Sequence, residues 1–257
     1  MNYFTPRDAA ERYARGRPDV HGHSIELIRS FLRLENKVEK ALDIACGTGL
    51  STKALLAIGE EVYGTDVSPE MLYFAPHKDL IHYSLSPAEK QPFDDDTFDL
   101  ITVSSGVHWF DIDTFLPEAR RILKSRSWLV LYENYFNSAM EGVEGFKQWC
   151  TDVYLRQFPS PPRNNKYQWT DENLQPAGLH FVTELRSIYS IPFTRRQLAL
   201  YLTTQSNIIA KVEGGKFTYG EVQHWLYKEL TPFFPADEDA PRAVSYGNWI
   251  KFLQRID

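Results

Sequence analysis

Residues 38–52, Val-Glu-Lys-Ala-Leu-Asp-Ile-Ala-Cys-Gly-Thr-Gly-Leu-Ser-Thr, constrain the fold more than any other stretch of the chain. Ala41, Leu42, Ile44 and Ala45 surround one acid, Asp43, and read as a short buried strand. Gly47 and Gly49 follow, and a helical pattern opens at Leu50. In a strand–glycine turn–helix unit the glycines let backbone approach a ligand closely, and the helix N-terminus offers unpaired N–H groups. An ordinary strand-to-helix turn has the same outline, and glycine motifs alone are weak signals. The next segment narrows the choice.

Glu61-Val-Tyr-Gly-Thr-Asp66-Val-Ser-Pro-Glu-Met-Leu72 reads as a second short strand ending in an acid, then a helix start. In a doubly wound sheet an acid at the tip of the second strand sits beside the glycine turn, where it can accept both hydroxyls of a ribose. A nucleoside-containing cofactor is therefore expected, and two compete. A dinucleotide fold requires G-x-G-x-x-G, and its third position here is Thr52. Read one step earlier, Ala45-Cys-Gly47-Thr-Gly49 resembles the D-x-G-x-G-x-G loop of class I S-adenosylmethionine-dependent methyltransferases. Asp43 then stands as the leading acid and Ala45 in the place of the first glycine.

Length suits one large α/β domain or a domain with an insertion: 257 residues, 43% hydrophobic and 24% charged. A net charge of −6 argues against nucleic acid as main partner, since phosphate binding favours a basic face. Two cysteines, Cys46 and Cys150, are expected to be reduced thiols in a cytoplasmic setting. No apolar run reaches the ~20 residues of a membrane span, and residues 1–8 lack the pattern of a signal peptide. The histidines show no metal-ligand clustering, so no metal site is expected.

Taken in order, Thr5 and Pro6 mark the start of a helix over 6–15, and a second helix is expected over about 24–34. The first core helix is expected over 50–59 with Gly59 as its C-cap, and Ser68 caps the helix after the second strand. Strands are expected at 80–84, through about Ser105, at 127–134, at 180–191 and at 243–254. Helices fall at 113–123, 194–206 and 218–230. About forty residues separate the fifth strand from the next strand-like run, longer than usual connections, and read as an insertion. The expected fold class is α/β, with one domain over 1–257. Residues 1–37 would be an N-terminal helical lid, 38–134 the cofactor-binding core, 135–179 an insertion or substrate cap, and 180–257 the rest of the sheet and its helices.

Further motifs sharpen the resemblance. Ala88-Glu89-Lys-Gln-Pro92-Phe93, an acidic turn, Thr97-Phe98-Asp99-Leu-Ile and then His108-Trp109-Phe110-Asp111 look like the type-11 methyltransferase group. Within it they are similar to the trans-aconitate methyltransferase-like branch, whose Q-A-x-H-W-F-D appears here with Ser105 and Gly106 replacing Gln and Ala. Tyr13-x-x-x-Arg17-Pro18 matches the first half of that branch's Y-x-x-x-R-P-x-Y-P, while Val20 and His21 depart from the second.

The resemblance implies a Rossmann-like, seven-stranded, mostly parallel sheet with helices on both faces and a helical insertion after the fifth strand. It implies S-adenosylmethionine, held by Asp43, Ala45, Gly47, Gly49, Asp66, Val67, Met71, Ala88, Glu89, Ser104, Ser105, His108 and Trp109. His108 is the candidate general base, since imidazole titrates near neutrality. Tyr13, Arg17, Tyr135 and Arg195 are the candidates for holding a small anionic substrate, arginine because its planar fork fits a carboxylate. A small carboxylic acid is the first substrate class to test. A nicotinamide-dependent oxidoreductase and a non-catalytic binder of the same cofactor are the alternatives.

Overall fold

The computed structural model describes residues 7–161, 166–237 and 240–257. Thr5 and Pro6, and part of the proline-rich stretch after Phe158, lie outside the described residues. The chain begins with α1 (Arg7–Gly16) and α2 (His21–Leu32), then alternates strand and helix. The alternation is β1 (Val38–Ile44), α3 (Leu50–Leu55), β2 (Gly59–Asp66), α4 (Pro69–Tyr73), β3 (Ile81–Leu85), β4 (Phe98–Ser104), α5 (Ile112–Ile122) and β5 (Leu123–Met140). Short helices α6 (Phe146–Trp149), α7 (Leu155–Gln157) and α8 (Asp171–Leu174) precede β6 (Leu179–Phe193). Then come α9 (Arg195–Thr203), α10 (Ser206–Glu213), α11 (Tyr219–Glu229) and β7 (Arg242–Arg255).

The seven strands form one sheet in the order β3-β2-β1-β4-β5-β7-β6. The first five are parallel neighbours. The ends of β7 meet the opposite ends of its neighbours: Glu141 donates to Ala243 beside β5, and Ile256 to Gly178 beside β6. β7 therefore runs antiparallel to both neighbours. Alternation along β1 separates two cores. Ala41 packs with Ile25 and Ile28 of α2 and Leu55 of α3, whereas Leu42 and Ile44 pack with Phe115, Leu116 and Ala119 of α5. Helices thus cover both faces.

Two compact units partition the chain. The core unit comprises residues 19–134, 163–187 and 248–257. The second unit comprises the described residues of 1–18, 135–162 and 188–247. It has an aromatic interior of its own, in which Phe146 stacks on Trp149 at 5.7 Å and Phe193 on Tyr246 at 6.2 Å.

Several boundaries differ from the sequence reading. The helix expected over 50–59 ends at Leu55, and Gly59 opens β2 opposite Val38 instead of capping. Its bare Cα is what fits there, since a Cβ would lie 3.1 Å from both Ala41 Cβ and Val62 Cγ2. α2 starts at His21, three residues early, and Ser24 lies within it, buried and donating to Asn134. β5 runs on to Met140, so the first residues assigned to a helical insertion are strand, with Phe136 facing Tyr246 at 6.4 Å. The turn at Gln205 that starts α10 went unread.

Candidate active site

The parallel order turns around between β1 and β4, the switch point beside which ligands bind in open α/β sheets. Ile44 pairs with Thr65 and Val103, and Asp66 with Leu85, so the carboxyl ends of four strands lie level. Everything described next belongs to the core unit.

The loop after β1 is folded by left-handed residues: Ala45 at φ 58°, Gly47 at 55° and Gly49 at 73°. Cys46 N–H donates to Thr65 O at 2.9 Å, and Gly49 N–H to Cys46 O at 2.9 Å. A Cβ on Gly47 would meet only Met71 Cε, at 3.1 Å, so the backbone is left bare at that point. Gly49 is enclosed instead: a Cβ there would lie 2.4 Å from the Tyr83 hydroxyl and 3.0 Å from Pro76. Burial pushes the Cys46 thiol well up, leaving it an inert packing group.

Asp43 sits behind this loop, fully buried. It accepts from Ser51 Oγ at 2.5 Å, Thr52 Oγ1 at 2.8 Å and Thr102 Oγ1 at 3.2 Å. It therefore braces helix α3 and strand β4 from behind the loop; the sequence reading had counted it among the residues that hold the cofactor. Thr52, which stands where a dinucleotide fold has its third glycine, is one of these donors. Burial, opposed by the three hydroxyls, pushes the Asp43 carboxyl up to about 6. The folded state then holds this proton more tightly than the unfolded chain, whose carboxyl titrates near ~3.9. Asp43 stabilises the fold most at low pH, and that contribution is lost as pH rises from about 4 through about 6. The stability of wild type relative to Asp43→Asn is expected to fall by roughly 3 kcal/mol between pH 4 and 7 in urea titrations. A flat difference would mean the carboxyl is not raised.

Asp66 ends β2 on the open side. Its two oxygens accept from Gly47 N–H at 2.8 Å and Ser68 N–H at 2.9 Å, which fixes its orientation toward the glycine loop. Each carboxylate oxygen retains a lone pair, so the group can still accept a diol. Burial raises its carboxyl despite these backbone bonds. Ser68 caps α4 by accepting from Met71 N–H at 3.2 Å, and Met71 is buried. Next to the acid, Val67 and Leu85 are left open at 60% exposure, and Trp109, in the turn after β4, is 49% exposed. Such residues at strand ends make a surface for a flat ring. Leu85 and Tyr83 were missed in the sequence, where β3 offers only an ordinary apolar pattern.

The remaining predicted residues close the same edge. Ser86 N–H donates to Asp66 O at 3.0 Å, placing the Ala88–Glu89 loop beside the acid. Glu89 accepts from Asp111 N–H at 2.9 Å, tying that loop to the turn after β4. Ser104 ends β4; Ser105 follows at φ 57° and donates from its N–H to Tyr132 O at 2.9 Å. His108 and Trp109 lie in a helical turn, their rings 4.7 Å apart.

A Cβ on Gly106 would stand 2.8 Å from the Ala45 methyl. The motifs that this chain resembles carry glycine in the place of Ala45 and alanine in the place of Gly106, so here the methyl group sits on the opposite one of two facing loops. Gly106→Ala alone is expected to cost ~1–3 kcal/mol through overpacking. Adding Ala45→Gly should recover most of it, a coupling that a double-mutant cycle measures. Additive effects would show the two loops to be independent.

The four substrate candidates lie in the second unit in three separate settings. Tyr13 and Arg17 come together, the guanidinium 4.5 Å from the ring centre. Tyr135 lies flat on Gly247, where a Cβ would be 2.2 Å from its ring. Arg195 donates to Thr231 and, at 2.7 Å, to Tyr227 OH, and so ties α9 to α11. Among the described residues no group of three or more His, Cys, Asp or Glu could hold a metal ion, and no helix is long and apolar enough to cross a membrane.

Residues 42–131 match the family model of the methyltransferase domain Methyltransf_11. The chain is 30% identical over 123 residues to a candidate methyltransferase of Dictyostelium discoideum, covering 48% of this chain and 46% of that one. It is 41% identical to the demethylmenaquinone methyltransferase of Chlorobaculum tepidum, covering 49% and 62%. The chain spans about half the length of the first of these curated relatives. Its fold is similar to that of a candidate type II methyltransferase from Anaeromyxobacter dehalogenans (TM-score 0.68, 18% identity, 90% and 95% covered). It is also similar to YcgJ from Bacillus subtilis (0.54, 20%, 92% and 100%). The bare loop, the strand-end acid and the open apolar ring surface fit the methionyl, ribose and adenine parts of one nucleoside cofactor. The segment 42–131 is thus similar in sequence to methyltransferase domains, on a fold shared with solved methyltransferases.

Proposed function

We propose that the protein is a methyltransferase that takes S-adenosylmethionine as methyl donor and acts on a small molecule, with carboxylic acids as the first class to test. The observation that carries this reading is the orientation of Asp66, locked by Gly47 and Ser68 beside a bare glycine loop and an open apolar edge. The net charge of −6 and the demethylmenaquinone methyltransferases among its relatives support a small-molecule substrate. Bound there, the cofactor supplies an activated methyl group and its own leaving group. The chain's part is to hold the acceptor in line and exclude water. A carboxylate acceptor needs no base; for a phenol or amine, His108 is the candidate to receive the proton.

Calorimetric titration with S-adenosylmethionine, S-adenosylhomocysteine and NAD tests the reading. Micromolar binding of the first two, with none of NAD, is the expected result. Binding of NAD alone would replace it with an oxidoreductase.

A further inference from the structure

We propose that Arg121 is a positioning residue for the cofactor: from α5 it sets the peptide group that Ala88 presents to the base. That the group served is the base of S-adenosylmethionine rests on the function proposed above. All the residues concerned belong to the core unit. The crossover from β3 to β4 runs through residues 86–97 with neither helix nor strand. Such a connection has no ladder of backbone bonds and takes its shape from what holds it. Its start is fixed where Ser86 N–H donates to Asp66 O, and its tip where Glu89 accepts from Asp111 N–H. The remainder is gathered by one side chain of α5.

Arg121 meets Glu118, one turn earlier, through two parallel bonds: Nε donates to one carboxylate oxygen and Nη2 to the other, both at 2.8 Å. Its Nη1 donates to Phe93 O at 2.8 Å and to Asp95 at 2.7 Å, and Nη2 reaches Gln91 O at 3.3 Å. Glu118 in turn accepts from Gln91 N–H at 2.6 Å. The ion pair thus takes both backbone groups of Gln91, a buried residue. Hydrogen bonds from the guanidinium hold the Glu118 carboxyl below its usual range. Lysine holds a carboxylate as a point charge but lacks the planar fork that serves both oxygens and the carbonyls beside them.

With its backbone fixed, Gln91 turns its side chain back on the loop. Nε2 donates to Pro87 O at 2.8 Å, an oxygen that Lys90 N–H also holds at 3.2 Å. Pro87 O and Ala88 N–H belong to one peptide plane, and among the described residues no peptide bond is cis. In a trans peptide the N–H points opposite the C=O. Holding Pro87 O toward Gln91 therefore aims the Ala88 N–H away from it, and no described residue accepts that N–H. A purine edge supplies the acceptor, since its ring nitrogens carry free lone pairs.

The test uses full chains of wild type, Arg121→Gln, Arg121→Lys and Gln91→Leu, titrated calorimetrically with S-adenosylhomocysteine and S-inosylhomocysteine. The second ligand differs only in its base, where a donor N1–H and a carbonyl replace the acceptor N1 and the amino group. Wild type is expected to prefer the adenine ligand by about tenfold or more. Arg121→Gln should weaken S-adenosylhomocysteine by about fivefold or more and leave the inosine ligand nearly unchanged, so the preference shrinks. Arg121→Lys should fall between the two. Gln91→Leu breaks the path beyond the ion pair and should shrink the preference alike, which covers the case in which Arg121→Gln does not fold. Equal losses for both ligands, or a preference unchanged in every variant, would mean that Arg121 only stabilises the loop and would overturn the assignment. So would a wild type that does not distinguish the two. Wild type that binds neither nucleoside would instead sink the methyltransferase reading.

Discussion

Asp66→Ala is expected to weaken S-adenosylmethionine binding at least tenfold in calorimetric titration. Two losses combine. On the proposed reading the ribose diol loses a charged acceptor, worth ~1.5–3 kcal/mol. The N–H of Gly47, which donates to Asp66 at 2.8 Å, loses the partner that holds the glycine loop in its binding shape. Asp66→Asn separates the two, since its amide oxygen still accepts one bond while the charge is gone. It should fall between wild type and the alanine variant. Undiminished affinity in a folded Asp66→Ala protein would remove the acid from the cofactor site.

Gly49→Ala is expected to give the largest stability loss of any single methyl added to the core unit. Left-handed backbone at φ 73° costs alanine ~1–2 kcal/mol. The added Cβ would meet the Tyr83 hydroxyl at 2.4 Å and Pro76 at 3.0 Å, and overpacking of that kind costs ~1–3 kcal/mol. Together these amount to ~2–5 kcal/mol, or a thermal midpoint lower by roughly 4–20 °C. Tyr83→Phe removes the nearest obstructing atom, so the double variant should regain part of the loss. If it regains nothing, Pro76 or the backbone strain carries the whole effect.

Much of this architecture was legible because it depends on local pattern. The glycine spacing, the acid at the end of β2, the Ser68 cap and the buried strand β1 each follow from a few adjacent residues, and the structure places them as read. Tyr83 was not legible, because its significance comes from register. It pairs with Gly64 across β2, and only that bare neighbour lets its ring lie over the strand and reach Gly49. Asp43 was read as a ligand contact because motif position does not reveal direction. The hydroxyls of Ser51, Thr52 and Thr102 that turn it inward come from another helix and another strand. The ends of β5 and α2 were misplaced for a similar reason, since both are set by partners far along the chain. Arg17 stood out in the sequence, but Thr204, to which it donates, and the tyrosines Tyr154, Tyr201 and Tyr246 that face it come from residues 154–246.

That dispersal has a consequence for biosynthesis. Gly16 rests against Thr204, and Arg12 pairs with Glu213, so α1 emerges from the ribosome long before the surface it packs on has been made. The parallel strands β1 to β4 can meanwhile assemble from a contiguous run of chain, whereas closing a loop of such length is slow. During translation α1 therefore waits unpacked, with Ala9 and Ala10 uncovered, until the last third of the chain appears.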